Sequence, residues 1–313
     1  MLFIDTHDSG RARMAKALFV HRAGSHGLAF AAGTDPNADE IILSAHLFEG
    51  YVKQGAADNK SGSAGILEVA RILNTLIEEG RIPRPKRTIR FLWGPEYSGT
   101  GPWVRENRDL MEKTLANINM DMVGEWLTLN KAYMRLMRTT YGQPHFINDV
   151  MENYYRYVGE ANNERIQNRS GFYKVPRRIV APSGADEPFY FHIETHYGAS
   201  DHMVFNDGIV GIPAVGFINW PDDYIHSSDD DLWQIDRTQL KRNAFIIATA
   251  ASSDRMQTTA CQCPPAPGRP PRSPGPGLPR CRIRPRSCVP ICTKRTRPDP
   301  RPPAACISSS IRP

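Results

Sequence analysis

Residues 41–79 read IILSAHLFEGYVKQGAADNKSGSAGILEVARILNTLIEE, and three kinds of segment follow one another inside them. Residues 41–45 form a short apolar run that stops at His46, the pattern of a buried strand. Residues 55–62 are rich in small side chains and read as a loop carrying a lone acid, Asp58. Ile66, Val69, Ala70, Leu73, Leu76 and Ile77 then recur at helical spacing, which predicts a helix over about 61–79. Gly80 closes that helix, with Pro83 and Pro85 beyond it. Strand, small-residue loop and helix in this order are the opening of an α/β unit.

Working outward, the same alternation continues. Residues 88–93 predict a second strand ending at a Gly94-Pro95 turn, and 115–123 a third. Residues 146–158 read as a helix, and 160–195 give no clear pattern. Residues 209–219 predict a fourth strand, in which Pro213 suggests an edge position or a bulge. Asp236 is placed to cap a final helix over 237–252. Strands alternating with helices predict a mixed, mainly parallel sheet with helices on both faces.

The chain divides into three regions. Residues 1–37 are a short opening segment, 38–255 the α/β region, and 256–313 a tail dominated by Pro, Arg, Gly and Ser. All six cysteines lie in the tail, at spacings that match no trusted zinc or disulfide framework. The tail carries a charge of about +10, so the chain's formal +6 and its basic pI describe the tail and not the α/β region. Its composition is that of a disordered segment. Without interleaved aromatic side chains to stack on bases, its charge argues little for nucleic-acid binding. No apolar stretch is long enough to span a membrane, and no signal peptide is visible at the start. The expected location is the cytoplasm, without a membrane partner.

In open sheets of this kind ligands gather at the carboxyl ends of the strands. His46 follows the first strand, Asp58 sits in the loop before the first helix, and Glu96 follows the second strand. Asp121 is at the end of the third strand, and His226 lies in the loop after the fourth. Singly, each has an ordinary reading as a turn, capping or solvated side chain. Together, two imidazoles and three carboxylates are a donor set suited to zinc.

The successive strings SAHLFEG, GAADNKSGSAGILEVAR, RTIRFLWGPEYSGTG, INMDMVGE, ASDHMVF, GIPAVGF and IHSSDDDLWQID carry a resemblance. They are similar to the ordered blocks of the co-catalytic zinc aminopeptidases, peptidase family M-28 of clan MH, over about 200 residues. The PExxGT and RTIRFLW strings resemble an aminopeptidase-like subgroup most closely. The resemblance implies two zinc ions bridged by Asp58, with His46 and Asp121 completing one position and Glu96 and His226 the other. It implies hydrolysis of N-terminal peptide bonds by metal-activated water on a peptide substrate, with Tyr224 near the developing oxyanion. Alternatives on the same scaffold are a catalytically impaired metal-binding relic and a single-zinc acyltransferase of glutaminyl cyclase type.

The chain departs from the family's pattern at three places. Where the family has a Glu pair, general base then ligand, this chain has Pro95-Glu96. That leaves Glu96 as the ligand, or as the base with a weakened metal position, and Glu49, Asp186 and Glu187 as substitute acids. Phe48 stands where the family often has a supporting Asp, while Asp201 and His202 are kept. Ile225, not Tyr, adjoins the last His, with Tyr224 one step further. Separately, residues 1–37 resemble the start of low-molecular-weight tyrosine phosphatases and arsenate reductases. There Arg11 matches the phosphate-loop Arg, and Asp5 stands where the nucleophilic Cys would be. A carboxylate at that position would repel an oxyanion, so a remnant strand and helix are expected from this segment.

Overall fold

The computed structural model describes residues 33–48, 53–167 and 188–257, together with the short strand β1 (Leu2–Phe3). The substitute acids Glu49, Asp186 and Glu187, the pair Asp5 and Arg11, and the tail from residue 258 lie outside these residues.

The strands are β2 (Glu40–Phe48), β3 (Ile89–Pro95), β4 (Thr114–Met120), β5 (Tyr133–Met137), β6 (Phe191–Glu194) and β7 (Ala214–Trp220). With β1 they form one sheet in the order β1-β3-β2-β4-β7-β5-β6. Every pairing is parallel except β5 with β7. Parallel neighbours need crossover connections, and those crossovers supply the covering helices.

Both faces of the sheet are covered because alternate residues of one strand feed different cores. Ile41, Leu43 and Ala45 of β2 join the larger cluster with Ile66, Val69 and Leu73 of α1 (Gly62–Glu78). Ile246 and Ile247 of α7 (Arg237–Ser252) and Tyr155 of α5 (Ile147–Gln167) complete that layer. The intervening Ile42 points the other way, into a cluster with Leu92, Trp103 of α2 (Thr100–Glu106) and Met111 of α3 (Arg108–Glu112). Phe205 of α6 (His202–Asn206) closes that smaller layer.

A buried polar seam runs on the face of the smaller layer, since Ser44 shares the parity of Ile42, and Asn117 and Asn119 alternate with Ala116, Ile118 and Met120 of the larger cluster. Asn117 donates to the Ser44 hydroxyl at 2.9 Å, Ser44 donates to the side-chain amide oxygen of Asn119 at 2.7 Å, and Asn119 donates to Ser200 at 2.7 Å. The seam ties β2, β4 and the segment before α6 together one strand-residue pair below His46. Mutual bonding makes such buried polar groups tolerable, although the Asn117 side-chain oxygen has no hydrogen-bond partner among the described residues.

Helix α1 and the caps follow the expected pattern, and the Asp236 carboxylate accepts the Thr238 N–H at 2.8 Å. Two expectations shift. The fourth predicted strand starts at Ala214, after Pro213, and is central, between β4 and β5. Pro213 therefore needs no edge: it only lends its carbonyl to the Asn117 N–H at 2.9 Å. The helix predicted over 146–158 runs to Gln167, into the stretch without a readable pattern.

Candidate metal centre

Each candidate ligand sits where a strand ends or a connection doubles back. His46 is near the end of β2, paired in register with Gly94 of β3. Ser63 of α1 holds its carbonyl by a 2.8 Å hydrogen bond. Asp58 lies in the Ala56–Ser61 turn, whose conformation is heavily anchored. The Asp230 carboxylate accepts the N–H groups of Ala57 and Asp58 at 2.6 and 3.1 Å. The side chain of Asn59, joined to Asp58 by a cis peptide bond, donates to the Met120 carbonyl and accepts the N–H groups of Gly62 and Met122. Gly62 is required here because a Cβ would overlap the Met120 carbonyl oxygen. The turn and the end of β4 are thus bonded as one unit, which sets Asp58 against Asp121.

The side chains converge. His46 Nε2 lies 3.1 Å from Asp121 Oδ1 and 3.4 Å from Asp58 Oδ1. Asp58 Oδ2 lies 3.1 Å from His226 Nε2. Glu96 offers an oxygen that lies, with those of His46 and Asp121, inside a 4.8 Å group. All five predicted ligands are therefore linked at one locus. Tetrahedral zinc with bonds of about 2.0–2.1 Å spaces its ligand atoms about 3.3 Å apart. The observed separations and the imidazole–carboxylate donor set fit zinc on that count. His46, Asp58 and Asp121 are buried, whereas the His226 side chain is 66% exposed. The centre is closed behind and open on the His226 side.

Backbone strain marks the same place. Tyr97, Met122 and His226 have positive φ (46°, 50° and 61°), in the region that non-glycine residues seldom adopt. The first two directly follow Glu96 and Asp121. Such strain gathers where the surrounding structure holds a functional group in position.

Asp201 and His202 belong to the surroundings. Asp201 accepts the Tyr97 N–H at 2.8 Å and so fixes the residue after Glu96. Its pKa is raised to about 6 by burial, which outweighs the lowering by that N–H and by His46; Asp121 raises it further. His202 donates from Nε2 to the Tyr197 carbonyl at 2.7 Å, and burial lowers its pKa to about 4, so it is neutral at pH 7. Phe48, where a supporting acid is expected, pairs instead with Pro95 at the end of the β2–β3 ladder. Tyr224 is half-buried, edge-on to Trp233 at 4.9 Å, and its backbone N–H is accepted by Asp222.

Sequence reasoning missed three residues here. Lys53 reaches Asp58 Oδ2 at 2.8 Å, with both side chains nearly inaccessible. Asp230, in the quoted IHSSDDDLWQID string, is the anchor of the Asp58 turn, and nothing local distinguishes it from the two acids beside it. Glu125, after Asp121 in INMDMVGE, is fully buried. Its pKa is raised well above the usual carboxylate range, first by burial and then by Asp222. It is a buried acid facing an acid partner, Asp222, of the loop that carries His226.

Comparison with known proteins agrees with the fold. The family model described as Peptidase family M28 matches residues 29–251. Aminopeptidase YwaD of Bacillus subtilis (strain 168) is 25% identical over 225 residues, covering 68% of this chain and 40% of that protein. Aminopeptidase NAALADL1 of Mus musculus is 41% identical over 89 residues, covering 27% of this chain and 12% of that one. The chain thus spans less than half the length of these curated relatives. Among solved structures, BSAP, a zinc aminopeptidase from Bacillus subtilis, superposes with a TM-score of 0.51 at 20% identity over 70% of this chain and 46% of that chain. Macrostomum lignano glutaminyl cyclase superposes with a TM-score of 0.53 at 12% identity, over 78% and 83%. These two show likeness of fold. Among the described residues no helix is long and apolar enough to cross a membrane.

Proposed function

The chain belongs to peptidase family M28, and from that premise we propose that it is a metallohydrolase that removes N-terminal residues from peptides with two zinc ions. The observation that supports this most is the meeting of His46, Asp58, Glu96, Asp121 and His226 at one locus open to solvent on one side. His46 and Asp121 would hold one ion, Glu96 and His226 the other, and Asp58 would be shared between them. Zinc bound there would supply a Lewis acid for the scissile carbonyl and a lowered pKa for water.

The chain's own residues do the rest. The hydrogen-bonded turn holds Asp58 without reorganisation, and the Asp201–Tyr97 bond holds the backbone beside Glu96. Tyr224, braced by Trp233 on the open side, is our candidate donor to the oxyanion of the tetrahedral intermediate. Pro95 cannot take a proton from water, a role typically worth about 10²–10⁴-fold. Glu96 is then our candidate for that task, and its use as a base would weaken its hold on an ion. This conflict favours a second reading, an impaired enzyme that keeps its metal.

Hydrolysis of amino-acid p-nitroanilides by the zinc-loaded full chain, lost on chelation and restored by zinc, tests the proposal. Zinc-loaded protein without turnover would leave the impaired reading. Protein that binds no zinc would end both.

A further inference from the structure

Asp58 has two carboxylate oxygens, and their surroundings differ. Oδ1 faces His46, which in turn faces Asp121: an imidazole and an acid, the partners a cation wants. Oδ2 faces His226 at 3.1 Å and also the Lys53 ammonium at 2.8 Å. The Lys53 side chain is only 7% exposed and that of Asp58 4%, so this is a buried ion pair and poorly screened. A zinc ion bonding Oδ2 at about 2.0–2.2 Å would have to share one oxygen with a positive charge already seated on it. Like charges that close in a site of low polarity repel strongly.

Charge balance points the same way. Asp58, Glu96 and Asp121 bring three negative charges when ionised, and the two imidazoles bind metal as neutral ligands. One dication and one ammonium neutralise them; a second dication leaves the site at about +2 if the ammonium stays and about +1 if it departs, so the second ion favours expulsion of the ammonium.

We infer that Lys53 is a built-in competitor for the second metal position. The inference rests on the metallohydrolase reading above and deepens it. The His46–Asp121 position fills first, and Lys53 serves as the second cation of the one-ion chain. The ion on the His226 side enters only by displacing Lys53 from Asp58 Oδ2. Lys53 thereby sets the zinc concentration at which the two-ion form exists.

The test uses the metal-free full chain titrated with zinc by calorimetry, and with cobalt(II) by visible absorption. The wild type should bind two ions in steps at least tenfold apart. Lys53→Met should tighten the second step by tenfold or more and leave the first within about threefold, whereas Lys53→Arg, which keeps the charge, should preserve the gap. Amine labelling of the wild type read by mass spectrometry needs no variant. Lys53 should be protected with zero or one ion and labelled at least fivefold faster with two. Equal binding steps in the wild type, an unmoved second step in Lys53→Met, or labelling indifferent to the second ion would each overturn the inference alone. A chain that binds no ion before or after the substitution overturns the metallohydrolase reading with it.

Discussion

Replacing Asp230 by Ala should damage a site that Asp230 never enters. Its carboxylate accepts two backbone N–H groups, from Ala57 and Asp58, and the residue is fully buried. Truncation leaves both donors without that acceptor. An unsatisfied buried donor costs about 1–3 kcal/mol, and bonds to a charged acceptor lie at the upper end. The loss is offset a little, because the Asp230 charge opposes ionisation of Glu125 and Asp222. That offset is small: Asp230 is among the lesser causes of the Glu125 shift, behind burial and Asp222. The net expectation is a loss of about 2–4 kcal/mol, which in a domain of this size lowers Tm by about 5–15 °C. Asp230→Asn keeps one acceptor oxygen and should recover roughly half. Urea unfolding of the metal-free chain measures the loss, and competition with a chromophoric chelator should show zinc affinity falling by at least tenfold. An Asp230→Ala chain within about 0.5 kcal/mol of wild type, with unchanged zinc affinity, would refute the view that this carboxylate builds the Asp58 turn.

Pro95→Glu, which restores the acid pair, should raise kcat on a nitroanilide by about 10²-fold or more; an unchanged kcat would mean that another group already takes the proton. Gly62→Ala should abolish or severely impair folding, read by circular dichroism, since the added methyl meets the Met120 carbonyl and the Asn59 side chain, which three hydrogen bonds hold in place. Burial and Asp222 raise the folded pKa of Glu125 well above the usual carboxylate range, so the stability it contributes is complete below that range and declines as pH rises towards the folded pKa. The decline is up to about 1.4 kcal/mol per pH unit, and Glu125→Gln should remove it, as denaturant unfolding at pH 5 and pH 7 would reveal.

The strands that line the centre were legible because each is a short stretch dominated by apolar residues, with β4 tolerating Asn117 and Asn119 inside it, and each is followed closely by a candidate ligand or a turn. β5 was not. Its five residues bury Met134, Leu136 and Met137 and leave Tyr133 exposed and Arg135 half-buried, and Arg135 spends its charge on Glu194 of β6 and its Nε–H on the Trp220 carbonyl. A strand stabilised by ion pairing with a partner more than fifty residues away has no local signature. The candidate ligands were legible as a set because they follow strand ends in a known order. Lys53 and Asp230 were not, since their roles depend on which oxygen or N–H they meet, and that is decided by the close packing of one turn against the end of β4.

The Ser44–Asn117–Asn119–Ser200 seam has a consequence for how such a centre varies. The β2–β4 ladder already fixes the register of the two strands, and the seam adds side-chain bonds beneath the ligands. Trading one aliphatic side chain for another in either layer leaves those bonds intact. An Asn119→Leu exchange would leave Ser44 without its acceptor and Ser200 without its donor, placing unpaired polar groups two residues below Asp121, at the foot of the cradle itself.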